Sequence, residues 1–190
     1  MDGEERDGRI RAYVLLHKLS SLKRTGWVDY GVPNPETVMC HMYDAWILGT
    51  IFLPVESQYE GYDKRRILDM LLIHDLAESV TGDIVTPLKD NDPRYDMEEE
   101  SAMKSILSSI SYDSSLESLW DEWVGQATIN AMVAKDIDIL QSIVQFCLYR
   151  PDNPSLQKRE STDNWLGKRV RLRTDIGRGL YDRIVPNLIE

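Results

Sequence analysis

Apolar residues recur along this chain every three to four positions, the spacing of amphipathic helices, and no stretch shows the strict alternation of a half-buried strand. Between Arg6 and Leu22, a first helix is marked by Ile10, Val14, Leu15 and Leu19. A second, from Glu36 to Leu53, carries Val38, Met42, Ala45, Leu48 and Phe52. Arg65 to Val80 reads as a third, apolar on nearly every side through Leu71, Leu72, Ile73 and Leu76, and therefore buried. Thr81-Gly82-Asp83 interrupts, and Thr86-Pro87 with Asn91-Asp92-Pro93 punctuates a loop. The Glu98 to Glu100 run opens another helix, because carboxylates suit the positive end of a helix dipole. Leu116 to Val124, Thr128 to Tyr149 and Asn164 to Ile184 complete the set, with Arg150 to Pro154 as a loop. The expected fold class is all-α, a single compact helical bundle over residues 1–190. No internal repeat or glycine-rich phosphate loop is present, which leaves Rossmann and P-loop chemistry unsupported.

The length of 190 residues suits one domain with a substantial core. A net charge of −10 disfavours nucleic-acid polymers and anionic membranes as partners. An anionic substrate would therefore need local positive charge, from a metal or from a few placed Lys and Arg. The start, Met1 to Asp7, lacks an apolar signal core, and the longest apolar run, Ala45 to Val55, is too short to span a bilayer. The expectation is a cytoplasmic protein. Cys40 and Cys147 are the only thiols, too few for a disulfide framework or a Cys-rich zinc site.

Chemistry concentrates at His74-Asp75 within the third helix, where an ionisable pair among apolar neighbours needs a partner, most economically a metal cation. Glu78 lies four and three residues on, so a regular helix would place all three side chains on one side. His41 shares the interior stripe of the second helix, and Asp136 and Asp138 bring carboxylates into the apolar helix after Thr128. Two imidazoles and two carboxylates form an N/O donor set for one divalent cation with positions left for water and substrate. The wheel of the late helix sets Asp136 with Met132, Val133, Leu140, Ile143 and Cys147, and Asp138 with Ala131, Ala134, Gln141 and Gln145. Periodicity alone slightly favours burying Asp136. His17 falls in line with Ile10 and Val14 and reads as structural.

The order His41, His74-Asp75, Asp138 resembles the H…HD…D signature of the HD-domain metal-dependent phosphohydrolases, and most of all their 5′-deoxynucleotidase branch. Further blocks share that order and spacing: Leu22 to Val28, Asn34 to Val38, Thr81 to Ile84, Glu98 to Lys104 and Lys135 to Asp138. The match runs from about residue 15 to 149, leaving residues 155–190 as a helical extension. The resemblance implies that His41, His74, Asp75 and Asp138 hold one divalent metal (Co, Mn, Fe, Mg or Zn), and it selects Asp138 over Asp136. Only three histidines occur in the chain, too few for the two-metal members. Glu78 is the implied proton-transfer group, Asp83 a carboxylate near the reaction and the sugar, and Trp27 a wall of the sugar pocket. Arg24 and Lys89 are candidate phosphate contacts.

The implied activity is removal of phosphate from nucleoside 5′-phosphates, most of all 2′-deoxynucleoside 5′-monophosphates, with di- and triphosphates or an analogue also open; a homodimer is implied by the family. The alternative is a nucleotide-sensing or scaffold protein that keeps the metal site without turnover. Several positions depart from the pattern and bear on nucleotide preference. Cys40, Gln141 and Arg150 stand where acidic residues are usual, Asp44 where one branch favours Arg, and Gly26 where a bacterial branch has a phosphate-contacting Arg.

Overall fold

The structure, a computed structural model, describes residues 3–85, 91–110 and 114–189. Among them every regular element is helical, apart from one antiparallel bridge between Lys23 and Thr37. The main elements are α1 (Gly3–Leu16), α2 (Thr25–Asp29), α3 (Val38–Phe52), α4 (Lys64–Leu71), α5 (Glu78–Thr81), α6 (Arg94–Ile110), α7 (Ser114–Gly125), α8 (Ile129–Tyr149), α9 (Arg159–Gly167) and α10 (Asp175–Ile184).

Helix α8 is the axis of the bundle. Thr128 starts it by accepting a hydrogen bond from the Ala131 amide at 3.1 Å, and Val133, Ile137, Leu140, Ile143 and Phe146 are fully buried along it. It packs on α3, α4, α7 and α10. Each such Leu, Ile or Phe contributes about 1.5–3 kcal/mol through burial, so the long helix holds its neighbours in place and the polar residues among these positions inherit that rigidity. Thr37 caps α3 through the Cys40 amide and Asp63 caps α4 through the Arg65 and Arg66 amides.

Three boundaries differ from the periodic reading. The first helix ends at Leu16 and tightens into a 3₁₀ turn over His17–Ser20. Ala12 and Leu19 face inward, whereas Ile10 and Val14 are exposed; His17 is exposed too, stacked on Tyr13. The segment 164–184 is not one helix but α9, a 3₁₀ turn over Lys168–Arg171, and α10. The third break, at residues 72–77, builds the site. Consecutive turns there run from the amides of Ile73, Leu76, Glu78 and Ser79 to carbonyls three residues back, and the carbonyl of Leu71 meets the His74 side chain instead of a helical amide.

Candidate metal centre

Because α4 stops at Leu71, His74 and Asp75 do not diverge as neighbours on a regular helix do. His74 Nδ1 lies 2.9 Å from the Leu71 carbonyl oxygen, which can only accept, so Nδ1 carries the proton and Nε2 presents a lone pair. His41, fully buried on α3, places its Nε2 3.3 Å from that of His74. Asp75 Oδ2 lies 3.3 Å from His74 Nε2 and 3.7 Å from His41 Nε2; Asp138 Oδ1, from α8, lies 3.0 Å from His41 Nε2 and 3.7 Å from His74 Nε2. His41, His74 and Asp75 each offer a donor atom within 4.8 Å of the others, and Asp138 meets both imidazoles from the opposite helix.

The charges around this cluster do not cancel internally. Arg24 Nη1 reaches Asp83 at 2.6 Å, Asp75 at 3.2 Å and Glu78 at 3.8 Å, while Lys135 Nζ meets Asp138 at 2.8 Å. Four carboxylates thus face two cations, leaving an excess of two negative charges when both imidazoles are neutral. Burial opposes a charge on His74, yet Asp75 and Asp138 outweigh it and raise its pKa. Burial likewise opposes charge on the two carboxylates. Lys135 and both imidazoles nonetheless hold Asp138 well below the usual range, and His74, Arg24 and His41 do the same for Asp75. Arg24 keeps its charge despite burial through Asp75, Asp83 and Glu78. Two imidazole nitrogens and two carboxylates that converge fit a divalent cation, and the N/O donor set is the kind such an ion takes.

The structure separates the two carboxylates of α8. Asp136 is fully buried and accepts from the Arg173 amide at 2.8 Å, the Thr174 amide at 2.8 Å and the Thr174 hydroxyl at 2.7 Å. It ties down the start of α10, where Thr174 caps the Gly177 amide. The wheel read its burial; its partners are backbone and a hydroxyl, not a metal. Asp83 is held by Arg24, by the Thr25 amide at 2.5 Å and through its own carbonyl by the Thr25 hydroxyl, so it cements the start of α2. Glu78, 3% exposed, faces Arg24. Lys89 lies outside the described residues.

Trp27 is packed inside the bundle. It is 2% exposed, stacked on Trp165 with centroids 4.3 Å apart and edge-on to Tyr149, so its faces are occupied by protein. Two participants went unread in the sequence. Lys135 sits one turn before Asp138, an i,i+3 ion pair that spacing could have signalled, and its ammonium also lies over Trp123, which packs on His74. Glu36, which accepts from Trp27 Nε1 at 2.9 Å and from Gln141 Nε2 at 3.1 Å, carries no such signal, because Gln141 is distant in sequence.

A family model described as HD domain matches residues 16–173. The chain belongs to the HD-domain family. Among curated proteins it is 34% identical over 156 residues to the 5′-deoxynucleotidase HDDC2 of Dictyostelium discoideum, covering 79% of this chain and 82% of that one. Against HDDC2 of Mus musculus it is 31% identical over 166 residues, 85% and 80% of the two chains. Among solved structures, a conserved hypothetical protein from Pyrococcus furiosus superposes with a TM-score of 0.75 at 23% identity, over 94% of this chain and 98% of that one, and shares the fold.

Proposed function

We propose that this HD-domain protein is a metal-dependent phosphohydrolase acting on nucleoside 5′-phosphates, with 2′-deoxynucleoside 5′-monophosphates as its principal substrates. The observation that carries the reading is the convergence of His41 from α3, His74 and Asp75 from the broken turn, and Asp138 from α8. These four side chains are the ligand set. The two imidazoles favour Mn, Fe, Co or Zn over Mg. When bound, such an ion polarises a phosphate oxygen and lowers the pKa of a coordinated water from about 15.7 toward 7.

The remaining residues bind, orient and move protons. Arg24, held by Asp83 and facing Asp75, places its guanidinium in the site and meets the phosphate's charge. Glu78 stands within reach of the same region and exchanges the proton of the attacking water or the leaving 5′-oxygen, a role worth about 10²–10⁴-fold. Asp83 acts by holding Arg24. That the HDDC2 relatives are 5′-deoxynucleotidases supports the substrate class.

We place the protein in the cytoplasm, with its nucleotide substrates; among the described residues no helix is long and apolar enough to cross a membrane. A homodimer is supported by an apolar groove of about 220 Å³ lined by Leu16, Leu19, Met39, Met42, Tyr43, Leu72 and Leu76, and by the exposure of Ile10, Tyr13 and Val14 on α1. The functional test is phosphate release from mono-, di- and triphosphates of both sugars with each divalent ion in turn. Ion-dependent release that is strongest from deoxynucleoside monophosphates is expected. Nucleotide binding without release from any substrate would instead identify a sensor.

A further inference from the structure

His41 is oriented from behind by a chain of hydrogen bonds, buried at His41 and Gln141 and half-buried at Glu36, that leads away from the metal cluster. Its Nδ1 lies 2.6 Å from Gln141 Oε1; Gln141 Nε2 donates to Glu36 Oε2 at 3.1 Å; Trp27 Nε1 donates to Glu36 Oε1 at 2.9 Å. The Glu36 amide donates to the Tyr149 hydroxyl at 2.8 Å, which fixes the carboxylate's backbone. Trp27, Gln141 and His41 are each at most 3% exposed, so water does not replace a missing partner at low cost.

An amide side chain is ambivalent: by itself Gln141 could turn either its carbonyl or its NH₂ toward His41. Glu36 removes the ambiguity. An indole N–H only donates and a carboxylate only accepts, so Trp27 takes one oxygen of Glu36 and the other demands the NH₂ of Gln141. The Gln141 carbonyl then faces His41, so Nδ1 carries a proton, and Nε2 is directed at Asp138 and His74. Gln141 stands where an acidic residue is usual in the resembled family. Here the relay ends in the carboxylate of Glu36, one link further from His41.

We propose that Glu36 is a positioning residue that fixes the tautomer of His41 through Gln141, with Trp27 as the anchor of the relay, and so prepares His41 as a ligand. The consequence for metal affinity rests on the metal-site reading above; the tautomer does not. Groups that orient a ligating imidazole typically carry about 10–100-fold in affinity.

The test is long-range ¹H–¹⁵N NMR of the metal-free protein, with cobalt(II) titration beside it. Wild-type His41 should show a protonated Nδ1. Glu36→Gln keeps the shape, but Trp27 holds its carbonyl oxygen and turns its NH₂ to Gln141, whose carbonyl must then accept and whose own NH₂ faces His41; Nδ1 should lose its proton, and cobalt affinity should fall about 10-fold or more. The double variant Glu36→Gln with Gln141→Glu exchanges the two side chains and restores every hydrogen bond with the polarity shifted one link. Its carboxylate, now at position 141, accepts from His41 Nδ1 and from the new NH₂ at position 36, whose carbonyl oxygen still accepts from Trp27. That double variant should return the protonated Nδ1 and most of the affinity, a rescue that a packing role does not produce. A Glu36→Gln protein whose His41 Nδ1 stays fully protonated overturns the proposal, and so does a folded double variant whose Nδ1 is bare. A tautomer that responds as stated in a protein that binds no cobalt supports the relay and removes the metal-site reading.

Discussion

Replacing Asp136 by Ala separates the two carboxylates of α8 by what each holds. Asp136 accepts three hydrogen bonds in a fully buried setting, from the Arg173 and Thr174 amides and the Thr174 hydroxyl. Hydrogen bonds to a charged acceptor are worth about 1.5–3 kcal/mol each, which sets an upper limit of about 9 kcal/mol for the three. Part of that returns when water enters the space left, so about 3–5 kcal/mol is expected, the range found when one member of a buried charged contact is removed. For a chain of this size each kcal/mol shifts Tm by about 2–4 °C, giving a fall of about 6–20 °C. Differential scanning calorimetry of metal-free protein measures it, and isothermal titration with Mn or Co measures what remains of the site. Asp136→Ala should lose Tm yet bind one ion per chain. Asp138→Ala should lose the ion with a smaller change in metal-free Tm, because it removes one of an excess of carboxylates. The opposite pattern, ion lost with Asp136→Ala and kept with Asp138→Ala, would refute the division of roles.

Glu78→Ala should retain the ion by titration and lower kcat by about 10²–10⁴-fold; unchanged kcat takes Glu78 out of the proton transfer. Gly177 on α10 faces the Asp136 carboxylate, and a Cβ there would stand 2.3 Å from Asp136 Oδ2, so Gly177→Ala should lower Tm, and a Tm equal to wild type would contradict the close approach. Lys168 lies 3.4 Å above the Trp165 ring, and burial, with Arg171 and Arg24 adding to it against Asp138, brings its ammonium down to about 7. The unfolded chain then holds a proton that the folded chain gives up between that value and the ordinary one, so the cost of Lys168 is full below about pH 7 and fades as pH rises. Lys168→Met, which keeps the contact with Trp165, should raise Tm more at pH 6 than at pH 9.5; an equal change at both would contradict this.

The helical class and the long helix after Thr128 were legible because a threonine cap and an uninterrupted apolar stripe coincide there. The site was legible as a set of residue types, since histidines and carboxylates in apolar runs need partners. Its construction was not. Periodicity sees Leu71 to Val80 as continuous helix, whereas the His74 imidazole competes for the Leu71 carbonyl, a side-chain to backbone bond that no spacing encodes. Helical wheels separated Asp136 from Asp138 but could not say what faced either, because the partners of Asp136 come from Arg173 and Thr174, far along the chain. The surroundings of Trp27 were not legible for the same reason: its stacking partner Trp165 and its acceptor Glu36 meet it only in the folded bundle.

Anomalous diffraction from crystals grown with cobalt(II) tests the central claim most directly. One peak per chain is predicted about 2.0–2.2 Å from His41 Nε2, His74 Nε2 and the carboxylates of Asp75 and Asp138. A cobalt-saturated crystal with no peak among these four side chains, or with His41 turned away from the doublet, would contradict it.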